Sequence, residues 1–175
     1  YKRPDLAAGP FRRPHRHLVV AAGPGRAIRQ LRERAGSKTQ CLGKVPFADL
    51  RSLMARCRAL VFPGEEDFGI VPVEVMASGR PVIAYGRGGV LDTVVDGETG
   101  VLFHEQSVEA LMDAVERFEA AALSTAGPEL PVARSRLFTE AAFRDGITRA
   151  LAEIGAWAPT ETPAPPTQGT PRAGA

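Results

Sequence analysis

Short apolar runs constrain the fold of this chain more than any other feature. They recur over residues 17–103 as HLVVAAG (17–23), the weaker KTQCLGK (38–44), ALVFP (59–63), RPVIAY (80–85) and VLF (101–103). Amphipathic stretches separate them, such as 47–58, where apolar side chains recur at helical spacing. Strands without polar alternation are buried on both faces, as in parallel sheets covered by helices. We therefore predict an α/β fold with a Rossmann-like, doubly wound parallel sheet.

The predicted helices carry boundary signals of their own. Pro72 and Gly79 bracket a short helix, with proline at its start and glycine just past its end. Ser107 is the predicted N-cap of a following helix, and Thr139 caps a last one that ends near Ile154.

Composition and charge narrow the class of protein. A hydrophobic content of 44% and a charged content of 24% are typical of a globular domain. The net charge of +2 favours neither nucleic acid nor an anionic membrane as a partner. The two cysteines lack metal-ligand spacing and are predicted core thiols. They do not support a disulfide framework, so a reducing, cytoplasmic setting is expected. No apolar run reaches the roughly 20 residues of a membrane span.

The domain prediction places one folded domain at 1–155 and a disordered tail at 156–175. The tail is rich in Pro, Thr, Ala and Gly and holds few large apolar side chains. The conformational entropy lost on ordering it would therefore exceed the free energy gained by burying it. Because the chain opens at Tyr1 without a methionine, we expect it to be a fragment of a longer protein.

Two acids, Glu66 and Glu74, stand eight positions apart in the stretch EEDFGIVPVEVMASGRPVIAYGRGG (65–89). The first follows the predicted strand 59–63, and ligands of parallel α/β sheets bind beyond the carboxyl ends of strands. The second is predicted in the first turn of the Pro72 helix, half-buried among apolar neighbours. A buried carboxylate needs hydrogen-bond partners, and ribose hydroxyls are suitable ones.

The residues between the two acids suit an anion. Phe68 to Val71 lead into the helix, whose first N–H groups lack helical acceptors and can bind a diphosphate. Gly69 would let the backbone approach the ligand closely, since it has no Cβ. Read in order, the stretch offers contacts for sugar hydroxyls, phosphates and ribose, which are the parts of a nucleotide sugar.

Residues 62–103, FPGEEDFGIVPVEVMASGRPVIAYGRGGVLDTVVDGETGVLF, resemble the donor-site signature of the retaining GT-B-fold glycosyltransferases of family 4. That signature is a Glu, seven residues, a second Glu, a small-residue helix, Gly, Pro-Val and a Gly-Gly loop. The resemblance extends more loosely over about 1–153 and implies the C-terminal, donor-binding half of a GT-B fold. The variant found here is most similar to bacterial GDP-mannose-dependent mannosyltransferases of surface-polysaccharide synthesis.

The resemblance implies a role for each matching residue. Catalytic roles fall on Lys2, at the donor diphosphate, and on Glu66, at sugar hydroxyls near the anomeric centre. Among the donor-binding residues, Glu74 would hold the ribose, and Val45, within the segment 44–46, would lie along the nucleobase. The phosphates would be bound at Phe68 and by the N–H groups of Gly69, Ile70 and Val71.

The resemblance also implies the reaction and its partners. A hexose, with mannose favoured, would pass from a nucleotide diphosphate sugar to a glycan or lipid-linked acceptor with retention of configuration. No cofactor and no metal ion is expected. The acceptor would be bound by an N-terminal domain that this chain lacks, so we expect the chain alone to be inactive. The full-length enzyme would lie at the inner membrane as a peripheral protein.

Other interpretations stay open. The chain could be a non-catalytic nucleotide-binding remnant, or a nucleotide-sugar epimerase of the same fold. The helix expected after Lys2 is interrupted by Gly9-Pro10 and Pro14, so it should be short or irregular. The basic run 12–17 invites RNA or metal binding, but a solvated loop is the better interpretation, since aromatic side chains and partner ligands are lacking. Gly23-Pro24-Gly25 lacks the third glycine of a dinucleotide fingerprint.

Overall fold

The structure, a computed structural model, describes residues 2–8, 18–21, 31–33, 39–121, 123, 125 and 127–156. Its strands are β1 (Leu18–Ala21), β2 (Thr39–Gly43), β3 (Leu60–Phe62), β4 (Val82–Tyr85) and β5 (Gly100–Phe103). Its α-helices are α1 (Phe47–Arg56), α2 (Ile70–Ala77), α3 (Val90–Thr93), α4 (Val108–Ala120), α5 (Glu129–Ser135) and α6 (Glu140–Glu153). Short 3-10 helices span Leu6–Ala8 and Arg136–Phe138.

Every strand pairing in the described chain is parallel. β1 pairs with β2, with Leu18 opposite Thr39. β4 lies between β3 and β5, with Leu60 opposite Val82 and Val82 opposite Gly100. Each predicted apolar run thus contains a strand, and the predicted parallel α/β fold is confirmed.

Both faces of the β3–β4–β5 sheet are covered, as the apolar strands predicted. On one face, the buried side chains of β4 and β5 pack against α4 and against Leu6 near the N-terminus; this cluster includes Ile83, Tyr85, Val101, Phe103, Leu111, Val115 and Phe118. On the other face, alternate residues of the same strands pack against α2 and α3; this cluster includes Val75, Met76, Val82, Ala84, Val90 and Leu102. The two clusters hold the sheet rigidly between layers of helix, with its carboxyl edge left for loops.

The helices depart from the predictions in three places. α2 begins at Ile70 rather than at Pro72, so Pro72 is the third residue of its first turn, where the missing N–H costs no helical hydrogen bond. α3 was not predicted, because a single turn is too short to show periodicity. Nor was α5, whose Pro131 resembled a helix breaker but also lies in a first turn.

The predicted caps are confirmed. Ser107 accepts a hydrogen bond from the Ala110 N–H at 3.1 Å at the start of α4. Thr139 accepts one from the Ala142 N–H at 3.2 Å at the start of α6. These bonds satisfy N–H groups that a first helical turn leaves without acceptors.

The chain divides into two compact units, Tyr1–Phe138 and Thr139–Ala175. The first contains the sheet and the helices that cover it, and the second contains α6. The predicted boundary at residue 155 stays a prediction, and nearly all of the predicted tail lies outside the described residues. None of the helices in the described ranges is long and apolar enough to cross a membrane.

Several predictions fall on or near residues that the structure does not describe. The basic run 12–17, the turn 23–25 and most of the helix predicted after it lie outside the described ranges. Of the segment after Lys2, the described part forms the 3-10 turn Leu6–Ala8. Cys41 and Cys57 are free and only half-buried, so the predicted core thiols lie at the margin of the core.

Candidate functional site

The carboxyl edge of the larger sheet is formed by the loop 63–69 after β3 and the loop 86–89 after β4. The two loops are joined at their tips, where Glu66 and Gly88 pair as a short parallel bridge. The Gly89 N–H donates to the Glu66 carbonyl at 2.9 Å. This bond fixes the backbone that carries the Glu66 side chain.

Gly88 and Gly89 are required by this crossing. A Cβ on Gly88 would lie 2.5 Å from the Glu66 carbonyl oxygen, and Gly88 also has a φ of 72°. A Cβ on Gly89 would overlap the Asp67 carbonyl oxygen and the Phe68 Cα. The sequence showed the Gly-Gly pair, but its contact partners lie some twenty residues earlier, so no role could be assigned to it.

The two residues predicted to be catalytic lie together. The Lys2 Nζ is 3.3 Å from Glu66 Oε1, with the Lys2 side chain 68% exposed and that of Glu66 21% exposed. This ion pair places Lys2 against the loop after β3. The two residues are far apart in sequence, so no local sequence pattern could predict that they meet. With the Lys2 side chain this exposed, the ion pair contributes little to stability.

Gly69 is the N-cap of α2 and has a φ of 80°. An added Cβ would meet Pro72 at 3.5 Å, which is ordinary contact, so the left-handed backbone, rather than close approach, is the reason for glycine here. The first turn leaves the N–H groups of Gly69, Ile70 and Val71 without helical acceptors. Together they form a positively polarised end at the carboxyl edge.

The position of Glu74 corrects the prediction made for it. Because α2 begins at Ile70, Glu74 lies in the second helical turn, and the side chain is exposed rather than half-buried. The apolar neighbours that suggested burial, such as Val75 and Met76, face the core instead. Glu74 is therefore open to a ligand in solution, and no burial argument applies to it.

The remaining predicted residues surround this edge. Phe68 is 43% exposed and Val71 is 38% exposed, so both present surface beside the Gly69 turn. Val45 is half-buried in the connection between β2 and α1.

Other polar contacts at this edge were not predicted. Arg87 Nε lies 3.5 Å from Glu65 Oε1, which places a positive charge beside the acidic loop. Gln106 Nε2 donates to the Pro63 carbonyl at 3.0 Å and ties the loop after β5 to the loop after β3. Within the part of the chain that the structure describes, no three His, Cys, Asp or Glu side chains gather as a metal site would require.

The carboxyl edge of this parallel sheet, with a helix start between two carboxylates, is where α/β domains bind their ligands. Residues 6–120 match the family model described as Glycosyl transferases group 1. The chain belongs to that family.

Characterised and curated relatives share parts of the chain. Alpha-1,3/1,6-mannosyltransferase ALG2 of Dictyostelium discoideum is 53% identical over 51 residues, which cover 29% of this chain and 12% of that protein. The D-inositol 3-phosphate glycosyltransferase of Corynebacterium glutamicum is 33% identical over 111 residues, covering 62% of this chain and 24% of the relative. The chain thus matches only a minor part of each relative's length.

Solved structures share the fold. HepE of Anabaena, crystallised with UDP and glucose, superposes with a TM-score of 0.72 at 22% identity, over 87% of this chain and 45% of its own. Sucrose-phosphate synthase of Thermosynechococcus elongatus superposes with a TM-score of 0.70 at 27% identity, over 86% of this chain and 41% of its own. The fold is that of GT-B glycosyltransferase structures, and this chain spans less than half of each.

Proposed function

We propose that the chain is the donor-binding half of a retaining, family 4 glycosyltransferase that transfers a hexose from a nucleotide diphosphate sugar. The observation that carries the proposal is the placement of Glu66 and Glu74 on either side of the α2 start, at the carboxyl edge of the sheet. This arrangement supplies a contact for each part of a sugar nucleotide. No cofactor beyond the donor substrate is proposed.

Each group has a role in the proposed reaction. As the bond between the anomeric carbon and the diphosphate breaks, the diphosphate leaves with the bonding electron pair and gains negative charge. The N–H groups of Gly69, Ile70 and Val71 and the ammonium group of Lys2 would stabilise that charge, which is preorganised electrostatic catalysis. Glu66 would orient the sugar by accepting hydrogen bonds from its hydroxyls. The acceptor oxygen would bond to the anomeric carbon on the face from which the diphosphate departed, and the proton of the acceptor hydroxyl would pass to the leaving diphosphate oxygen.

The ion pair between Lys2 and Glu66 fits this scheme. In the absence of a donor, each charge screens the other at 3.3 Å. A bound sugar nucleotide would give the ammonium group a phosphate and the carboxylate a set of hydroxyls. Glu74, exposed on α2, would hold the ribose, and Val45 would lie along the base.

Mannose is the sugar and GDP the nucleotide that we favour. The support is the similarity of the central segment to proteins named as mannosyltransferases, including that of Neurospora crassa at 51% identity over 59 residues. UDP is the competing nucleotide, since HepE was crystallised with UDP and glucose.

The acceptor is proposed to be a glycan or a lipid-linked sugar, bound by a second domain. A chain that covers 45% of HepE would contribute the donor side of such an enzyme, and the acceptor side would come from the rest. The full-length enzyme would then work in the cytoplasm, at the membrane that holds a lipid-linked acceptor. The 175 residues alone should show no sugar transfer, and robust transfer by them would contradict this division of labour.

Thermal unfolding with GDP, UDP and ADP tests the donor site. A nucleotide at 100 times its dissociation constant stabilises the folded state by about 2.7 kcal/mol. For a domain of this size, that is a rise in Tm of about 5–10 °C. We expect GDP to give the largest rise, and Glu74→Ala to abolish it because the ribose contact is lost.

The control is Glu109→Ala, which removes an exposed carboxylate from the first turn of α4. It should leave the rise in Tm with GDP intact. If UDP alone raises the Tm, the donor nucleotide is UDP and not GDP. No rise with any nucleotide would contradict a donor site in this chain.

A further inference from the structure

Arg134, on α5, contacts α3 and the ring of Phe138, and both of these contact the loop that carries Glu66. It lies outside the residues that match the family model and far from the acids in sequence. Its guanidinium group is half-buried and makes contacts in two directions, one to α3 and one to an aromatic ring. Both α3 and the aromatic ring are in turn connected to the loop that carries Glu66.

The first set of contacts reaches the loop through α3. Arg134 Nε donates to the Thr93 carbonyl at 3.0 Å, and Arg134 Nη2 donates to the Asp92 carbonyl. These carbonyls lie in the last turn of α3, where no helical N–H remains to bond them. The helix is a single turn whose N-cap is Gly89, and the Gly89 N–H holds the Glu66 carbonyl. A shift of Arg134 would therefore be passed through the four residues of α3 to Gly89 and from there to the Glu66 backbone.

The second set reaches the loop through aromatic rings. The Arg134 guanidinium carbon lies 5.3 Å from the centre of the Phe138 ring, over its face. The Phe138 ring meets Phe68 edge-on, with centroids 5.8 Å apart and planes at 67°. Phe68 stands between Glu66 and the left-handed Gly69 that starts α2. The Glu66 loop is therefore held at Glu66, through Gly89, and at Phe68, through Phe138, and both connections begin at one guanidinium group.

We propose that Arg134 is a positioning residue of the donor site, acting through Gly89 and Phe68 to set the place of the Glu66 carboxylate; this rests on the proposed function. Only a planar group with several N–H donors satisfies two carbonyls while lying on a ring, so lysine cannot replace it. A carboxylate displaced by a fraction of an ångström loses contact with the sugar, whereas Glu74 and Val45, which lie outside this loop, keep the nucleoside.

The test measures affinity for GDP-mannose and for GMP, by calorimetry, well below the Tm of each variant. We expect Arg134→Lys to raise the Kd for GDP-mannose about tenfold, because supporting residues of a binding site have effects of this order. The Kd for GMP, which lacks both the hexose and the β-phosphate but keeps the nucleoside, should stay within about twofold, because the contacts to the nucleoside lie outside the Glu66 loop. Arg136→Lys is the matched control, since Arg136 is exposed two residues away, and it should change neither value.

The outcomes separate this inference from the proposed function. If Arg134→Lys lowers the affinity for GDP-mannose and for GMP equally, or lowers neither, the role of Arg134 is overturned while the donor site stays in place. Failure of the unsubstituted chain to bind GDP-mannose, UDP-glucose, GDP or UDP would overturn both. If Arg134→Lys does not fold, Phe138→Leu is the deciding variant, because it removes the ring contact and leaves the hydrogen bonds to α3. It should weaken binding of GDP-mannose and not of GMP. Equal Kd values for the variant and the unsubstituted chain would overturn the inference.

Discussion

Replacing Gly89 with alanine is expected to destabilise the fold by about 3 kcal/mol, at the upper end of what an inserted methyl group costs in a packed site. The backbone φ of Gly89 is −64°, which alanine adopts without strain. The whole cost therefore comes from overlap of the new Cβ with the Asp67 carbonyl oxygen and the Phe68 Cα. Both are backbone atoms that cannot move away independently, so the loop crossing at Glu66 has to open.

Thermal unfolding measures this effect directly. A loss of about 3 kcal/mol corresponds to a fall in Tm of about 6–12 °C for a domain of this size. Two glycine variants separate overlap from other effects. Gly97→Ala, at a φ of 80° with open space around it, should cost only about 1 kcal/mol. Gly146→Ala, in open space within α6, should be neutral or stabilising by up to about 1 kcal/mol. A Gly89→Ala protein with an unchanged Tm would show that the crossing is looser than described.

Glu66→Ala is expected to raise the Kd for GDP-mannose about tenfold to hundredfold, the range for losing hydrogen bonds to a charged group. The Kd for GDP should not rise, because GDP has no sugar to lose. It should even fall slightly, since removing the Glu66 carboxylate removes a negative charge that would repel the phosphates. The substitution thus changes the ratio of the two affinities rather than binding as a whole.

Calorimetric titration of GDP and GDP-mannose gives that ratio. Glu65→Ala is the matched control, because Glu65 is the adjacent acid, is more exposed, and pairs with Arg87 instead. It should leave the ratio of the two Kd values unchanged. If Glu65→Ala and Glu66→Ala weaken GDP-mannose equally, the acidic loop acts through its net charge and Glu66 has no specific contact with the sugar. If UDP proves to be the nucleotide, UDP and UDP-glucose replace the guanosine pair in the same comparison.

The strands and the covered sheet could be predicted because their signal is local. A run such as RPVIAY contains β4, and its lack of alternation corresponds to side chains buried on both faces. The caps Ser107 and Thr139 were predictable for the same reason, since an N-cap bonds an N–H three residues ahead. The short helices α3 and α5 were missed because few residues leave no period to detect.

The site was predicted only in part. The residue types were identified, but the start of α2 was placed two residues late, and this gave Glu74 the wrong turn and the wrong burial. A proline at the third helical position is as compatible with a helix as one at the first, so the local pattern did not discriminate. The positive φ of Gly69 decides the start, and it depends on how the loop returns from β3.

The residue order of this chain is sufficient for its α/β class, its strands and the acids of its proposed donor site, because each depends on side chains close together in sequence. Its tertiary structure alone places Lys2 against Glu66, seats Gly88 and Gly89 on the loop after β3, and brings Arg134 to α3 and Phe138. Most of those contacts join residues between 22 and 64 positions apart. Phe138 is four residues from Arg134, but its ring meets Phe68, 70 positions earlier. These contacts form only when the layers pack, since the free energy that holds them comes from burial over the whole sheet and not from any local preference.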